Sequence, residues 1–305
     1  MTKSINDIPV LNKIWSFISP LREQILLGFD SLYYAKKEFK HVFGREMNLK
    51  HPSNLIEKFY WIENHCDLSL MTLCSDKYLV RDFIKEKGVS ELLTRLYAKW
   101  DSPDDISFVG LPNEFILKIN NGSGDVVIIR DAKQANLGEI RKHFKPMMKE
   151  TYGSYNGQKH YAGIRPCIIA EELLPLNGVD FSTSVVDYKF YCFDGKPESI
   201  FVCYNRTKEK VDFSLYDLNW NVLINAINPN NQHYIFRPEV TIPKPKGLQK
   251  MIEYASLLSE GFPEVRVDFY DIDGKVYFGE LTFTSGYGFF TPEYYEYLGS
   301  KVILS

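Results

Sequence analysis

The sequence predicts an α+β protein in which antiparallel hairpins are interleaved with amphipathic helices. Three observations predict it. Val265, Val267 and Phe269 alternate with Arg266, Asp268 and Tyr270, the period of two expected of a half-buried strand, and residues 276–283 repeat the β-branched and aromatic character after a tight turn. Asn-Gly and Asp-Gly dipeptides, strong hairpin signals, separate further strand pairs near 115–130 and 187–204. Leu248, Met251, Ile252, Ala255 and Leu258 recur at helical spacing.

Composition sets the bounds. The 305 residues are 45% apolar and 25% charged, ordinary for a globular chain of two or three packed subdomains. A net charge of −3 offers no basic excess for nucleic acid. Five scattered cysteines, Cys66, Cys74, Cys167, Cys192 and Cys203, show no zinc spacing, and with no signal peptide the expectation is a reducing, cytoplasmic setting. No apolar run reaches the roughly 18 residues that a transmembrane helix needs.

In chain order, residues 11–34 read as a helical region broken near Pro20, and Pro52, Ser53 and Asn54 offer capping residues for a helix with Leu55, Ile56 and Phe59 on its apolar face. A second helix start is expected at Ser75 or Asp76, with Leu79, Val80, Phe83 and Ile84 buried and the cations Lys77 and Arg81 one turn apart. Residues 1–75 form an N-terminal helical portion on this reading. A strand over 115–119 then ends in Lys118 and a turn of Asn121, Gly122, Ser123 and Gly124. A lysine at a strand end is a point charge for a phosphate oxygen, and the turn's N–H groups can cradle one. A plain hairpin turn is the competing reading. It is not a Walker loop, which needs GxxxxGK[ST] leading into a helix. Residues 138–150 read as a helix, 151–161 as a surface loop with a structural His160, and 166–174 as a buried strand running into Glu171 and Glu172.

Beyond it, Lys189 sits mid-strand between aromatics, where a cation needs a partner, and is read as a phosphate ligand. Arg206, after the return strand, is placed to hold a transferring phosphate. The hairpin at 264–288 organises the rest. A three-residue loop, Ile272, Asp273 and Gly274, pairs Asp271 with Lys275 and puts Arg266, Asp268, Phe278, Glu280 and Thr282 on one face. Two carboxylates side by side repel unless a cation lies between them, and oxygen donors at short range suit Mg²⁺. The small-residue stretch from Thr284 to Gly288 lets backbone N–H groups approach an anion. Residues 289–299, aromatic, are expected to close the site or bind an acceptor.

RVDFY, FGELTF, DKYLVRDFI, LPNEFILKINNGSG, IIAEELL and DYKFYCFDGKP together resemble the motifs of the ATP-grasp superfamily, and within it the TupA-like group associated with bacterial surface polysaccharides. The resemblance runs from about Asn48 to Gly299. It implies an ATP-grasp fold, two α+β subdomains clasping ATP, with a lid over 76–165 and a larger subdomain over 166–305. It implies ATP and Mg²⁺ as cofactors, with Lys77, Lys118, Asn121, Gly122, Ser123, Gly124 and Lys189 toward nucleotide and Glu171, Glu172, Leu173 and Leu174 at the adenine. Asp268 and Glu280 would hold the metal, and Thr282 stands where the wider superfamily usually has Asn, a weaker ligand for Mg²⁺. Arg206, Arg266 and Lys189 would act in catalysis. The implied chemistry is carboxylate–amine ligation through an acyl phosphate, with a small or saccharide-linked carboxylate, a uronic acid, as one substrate and an amino acid, amino alcohol or its phosphate as the other. Association with other polysaccharide-biosynthesis enzymes is a further expectation. A sugar-kinase-like transfer and a non-catalytic nucleotide-binding module stay open as alternatives.

Overall fold

The computed structural model describes residues 30–304 apart from 123, 125, 151, 154, 155 and 176–178. The expected helix over 11–34 therefore lies almost wholly outside the described residues, as does Ser123. The first described helix, α1 (Tyr33–Phe43), was not foreseen; it buries Ala35 and Phe39. Helix α2 (Leu55–His65) starts as its caps dictate. The Asn54 side chain accepts the Glu57 N–H, and Glu57 reaches back to the Asn54 N–H, a reciprocal capping box.

The chain continues through α3 (Ser69–Ser75) and α4 (Val80–Glu86). The helix expected to begin at Ser75 or Asp76 thus begins at Val80. Asp76 instead accepts N–H bonds from Tyr78 and Leu79, a local turn that competes with helix continuation, and Leu79 is exposed rather than buried.

Two sheets follow. Strands β1 (Leu96–Trp100), β2 (Phe115–Ile119), β3 (Val126–Ile129) and β4 (Ile168–Glu171) form an antiparallel sheet in the order β1-β4-β2-β3. Helix α5 (Leu137–Met147) covers it, placing Ile140 and Phe144 on a small core with Phe115, Leu117, Ile168 and Ala170. The expected boundary at 165/166 separates β4 from this sheet. Its hydrogen-bond ladders to β1 and β2 belong to the smaller unit, so we propose a subdomain boundary after Leu174.

The second sheet runs β10-β9-β5-β6-β7-β8, from β5 (Asp187–Phe193), β6 (Lys196–Tyr204), β7 (Val211–Tyr216), β8 (Tyr234–Phe236), β9 (Val265–Ile272) and β10 (Lys275–Thr282). Among the described residues, only β7 and β8 pair in parallel. Strand β5 is buried along its whole length because both neighbours and both faces are covered. On one face Tyr188, Phe190, Val267 and Phe269 meet α6 (Leu248–Ser259), whose Leu248, Met251, Ala255 and Leu258 point inward as expected. Asp271 lies on that face too and accepts the Gly247 N–H at 2.7 Å, anchoring the start of α6. The other face forms the wall of the cleft.

Of residues 289–299, expected to close the site or bind an acceptor, Phe289 lines the cleft. Phe290 and Tyr295 are buried in the main core, and α7 (Pro292–Lys301) packs on α2. A Cβ added at Gly299 would sit 2.3 Å from the Ser53 carbonyl oxygen and 2.7 Å from Asn54, so Gly299 lets the two helices touch. Gly299→Ala is expected to destabilise the protein by about 1–3 kcal/mol, seen as a lowered urea midpoint at unchanged slope.

Candidate active site

A cleft of about 720 Å³ opens between the two sheets. One wall is the polar face of β5, β9 and β10. Its geometry depends on two details of the β9–β10 hairpin. The turn is Asp273-Gly274, both at positive φ (56° and 90°), so Ile272 rather than Asp271 pairs with Lys275. The expected three-residue loop is thus a two-residue one, and alone this would turn Glu280 to the wrong face. A bulge between Phe278 and Glu280 restores it: Glu280 pairs with Asp268 and Thr282 with Arg266, while Phe278 moves opposite Phe269. Gly279 makes the bulge possible, since a Cβ there would lie 2.9 Å from the Asp268 carbonyl oxygen. Gly279→Ala should displace Glu280 and lower any turnover in this cleft by about 10²-fold, because small misplacements of positioning groups are costly.

The result is a band of alternating charge. Asp268, almost fully buried, accepts from Arg266 Nε at Oδ1 and from Arg266 Nη2 at Oδ2, each at 2.7 Å, and from Lys189. Lys189 also lies 3.6 Å from Asp187, which accepts from Arg206 at 2.8 Å. Arg266 reaches on to Glu280 at 3.2 Å and Thr282 at 3.0 Å, and the Thr282 hydroxyl donates to Glu280 at 3.1 Å. Burial would lift the Glu280 carboxyl, but Lys77, Lys189, Arg266 and the Thr282 hydrogen bond hold it at about 2. Burial also acts against the Lys189 charge, and Asp187 and Asp268 outweigh it and raise its pKa.

The facing wall comes from the smaller sheet and α4. Glu171 accepts from Arg81 at 2.7 Å and from Lys118 at 2.9 Å, and Arg81 also donates to the Thr94 carbonyl at 2.6 Å. Lys77 donates to the Gly122 carbonyl, and burial pushes its pKa down. The turn hangs on Asn120, which is fully buried. Its side chain accepts the Cys167 N–H at 2.7 Å and donates to the Arg165 carbonyl at 3.1 Å, while its own carbonyl accepts the Lys77 N–H at 2.9 Å.

The structure thus gathers Lys77, Lys118, Gly122, Gly124, Glu171, Glu172, Leu173, Leu174, Lys189, Arg206, Arg266, Asp268, Glu280 and Thr282 around one cavity. Asn121 is buried beside it without lining it. Glu171 has both carboxylate oxygens bonded by protein cations. Glu172 is tied to Arg95, accepting its N–H at 3.1 Å. Leu173 and Leu174 line the cleft beside them. Sequence reasoning gave no role to Arg81 or Asn120; the Asn120-Asn121 pair before Gly122 was the available signal for the latter. His160 is structural as expected, buried and bonded to Glu63.

A model of the TupA-like ATP-grasp family matches residues 57–303. The chain belongs to that family. A search of curated proteins gives no significant match. Among solved structures, a D-alanine–D-alanine ligase from Bacillus anthracis complexed with ATP is similar at 14% identity over 75% of this chain and 65% of that one, with a TM-score of 0.45. The ADP complex of PurK, N5-carboxyaminoimidazole ribonucleotide synthetase, is similar at 17% identity over 75% and 51%, TM-score 0.41. The ATP-grasp ligase PsnB complexed with minimal precursor, Mg and ADP is similar at 11% over 77% and 60%, TM-score 0.39. The chain spans less than two thirds of the length of each of these.

Proposed function

We propose that the protein is an ATP-dependent carboxylate–amine ligase that forms an amide through an acyl phosphate. The observation that carries this reading is the set of cations along the cleft: Lys189 on β5, Arg266 on β9 and Arg206 after β6 on one wall, with Lys77 and Lys118 facing them. An acyl phosphate and its tetrahedral adduct are multiply anionic, and fixed cations in a dry cleft suit them. The Cys74, Cys167 and Cys203 thiols are pushed up to about 12 by burial, so they stay protonated and the reading calls on no thiolate.

The donors fit the family's cofactors. Asp268, Glu280 and Thr282 offer Mg²⁺ oxygen ligands only, and the Glu280 side chain is 37% exposed toward the cleft while Asp268 is engaged by Arg266 and Lys189. Among the described residues no group of three or more His, Cys, Asp or Glu could hold a metal, so the phosphates would complete the shell. When bound, Mg²⁺ supplies neutralisation of phosphate charge. Lys77, Lys118 and the turn at Gly122 and Gly124 fit a polyanion, and Leu173 and Leu174 fit a base. Arg206 is held by Asp187 but is 44% exposed, which leaves its guanidinium able to orient the substrate carboxylate. Lys189 and Arg266 keep the metal carboxylates ionised and the reacting oxygens neutralised.

We infer a uronic acid of a bacterial surface polysaccharide, or its precursor, as the acid, and an amino acid, amino alcohol or its phosphate as the amine. The family resemblance supports this, and Tyr234, partly exposed where it lines the cleft, offers an aromatic ring suited to a sugar. Among the described residues no helix is long and apolar enough to cross a membrane. A cytoplasmic setting, where ATP is available, fits the reading.

The test is coupled ADP release with Mg-ATP, screening uronic acids against amines. ADP that requires both supports the ligase. ADP with a sugar and no amine supports the kinase-like alternative and overturns the ligase, and ATP binding without turnover across the panel leaves the non-catalytic module.

A further inference from the structure

Two cations share one carboxylate on the smaller sheet's wall of the cleft. Lys118 and Glu171 form a diagonal cross-strand pair: Glu171 lies opposite Ile116, and Lys118 is two residues further along β2 on the same face. That pair, joined at 2.9 Å, would satisfy both charges by itself. Arg81 comes from outside the sheet, on α4, and places a second cation 2.7 Å from the other carboxylate oxygen. Thr94 Oγ1 donates to that same oxygen at 3.3 Å. One carboxylate with two cations leaves a positive charge over, and all four side chains line the cleft.

The two cations are not equivalent. Arg81 is tied at both ends of its guanidinium, by Nη1 to Glu171 and by Nη2 to the Thr94 carbonyl at 2.6 Å, and its side chain is 11% exposed. The helix that carries it is anchored by Val80, Phe83 and Ile84, all buried. Among the described residues Lys118 bonds to Glu171 alone, and its side chain is 24% exposed. An ammonium on a flexible stem can swing from a carboxylate to an incoming anion, whereas a planar guanidinium held by two acceptors stays where it is. Lys77, the neighbouring cation, is already engaged by the Gly122 carbonyl.

We propose that Arg81 is a positioning residue for the nucleotide: it stays on Glu171 and neutralises it, so that Lys118 is released to the phosphates. The proposal rests on the nucleotide-binding part of the reading above and gives that site its charge balance. Without Arg81, phosphate competes with the carboxylate for Lys118, and the departure of Lys118 strands a buried negative charge. With Arg81, Glu171 keeps a charge-assisted partner whether or not a nucleotide is bound.

The test is titration calorimetry on the full chain with Mg-ADP and with adenosine, which carries the base and no phosphate. Arg81→Met is expected to weaken ADP binding about tenfold, the loss of roughly one charge-assisted bond, and to leave adenosine unchanged. Arg81→Lys, which restores the charge, should recover part of the loss. The deciding variant is Arg81→Met with Glu171→Gln. With the carboxylate gone, Lys118 needs no second cation, and ADP affinity should return to within about threefold of the wild type. A role of Arg81 in the fold alone, or a direct contact of Arg81 with phosphate, gives no such rescue. ADP affinity unchanged in Arg81→Met, an equal loss for adenosine, or a double variant as weak as Arg81→Met overturns the proposal. Hydroxylamine trapping with glucuronate and Mg-ATP tests the ligase reading separately. Hydroxamate with ADP affinity unchanged in Arg81→Met overturns the role of Arg81 alone; the rescue without hydroxamate supports that role and counts against the ligase.

Discussion

Glu280→Gln is expected to lower Mg-ATP-dependent ADP release by about 10²–10³-fold while leaving the fold intact. Glu280 is the carboxylate of the pair that opens to the cleft, and Arg266 and Thr282 both bond its Oε1, so it can meet a metal through its other oxygen without breaking that ion pair. Its amide would still accept from Arg266 and Thr282, which keeps the band assembled. The loss should therefore lie in kcat and in the Mg²⁺ dependence, with a urea midpoint near that of the wild type. The sign of the pH effect follows from the depressed pKa. A carboxylate held at about 2, below its ordinary 4.5, contributes stability that is fully present above the ordinary value and lost only as pH falls through about 2. Glu280 then stays ionised through the whole working range, and any acid limb of the rate above pH 4.5 must come from another group. Wild-type activity in Glu280→Gln, at limiting Mg²⁺, would remove Glu280 from the metal site. Asp268→Asn is a poorer probe, because Asp268 neutralises two buried cations and its loss would disturb the fold as well as the chemistry.

The band itself was legible in the sequence, but not for the reason the sequence suggested. Alternation in 265–270 places Arg266 and Asp268 together, and any pairing of the two strands that keeps Glu280 and Thr282 on their face makes a charged patch. A two-residue Asp-Gly turn and a bulge at Gly279 each reverse the face of the second strand, and together they cancel. Period-two reasoning counts faces and cannot see paired reversals. Lys189 was legible because an aromatic strand interior leaves a cation nowhere to go without a partner. The pairing of Arg81 with Glu171 was not, since it joins residues 90 positions apart and nothing local links them. The boundary we propose after Leu174 was hidden for a related reason: β4 is inserted between β1 and β2 in space but follows both in sequence. The N-terminal helices gave an apolar pattern and no function, because whether Glu38 lines the cleft depends on where α1 docks.

The largest stability effect should come from Arg266→Met. Arg266 supplies hydrogen bonds to both oxygens of Asp268, to Glu280 and to the Thr282 hydroxyl, and both Arg266 and Asp268 are buried. Removing the guanidinium leaves Asp268 with Lys189 alone, and Lys189 is shared with Asp187. A buried charge stripped of its principal partner costs about 3–5 kcal/mol, so the urea midpoint should fall sharply at constant slope. Adding Asp268→Leu should recover much of that loss, because an apolar pair is tolerated where a lone charge is not. A double-mutant cycle reads the coupling directly, and strict additivity would show that the two side chains do not depend on each other. Activity should stay absent in the double variant however stable it becomes. That separation matters for the reading of the site. A band kept only to hold the sheet together could be replaced by packing without penalty to turnover. A band whose removal restores stability but not ADP release is retained for the anions it meets in the cleft.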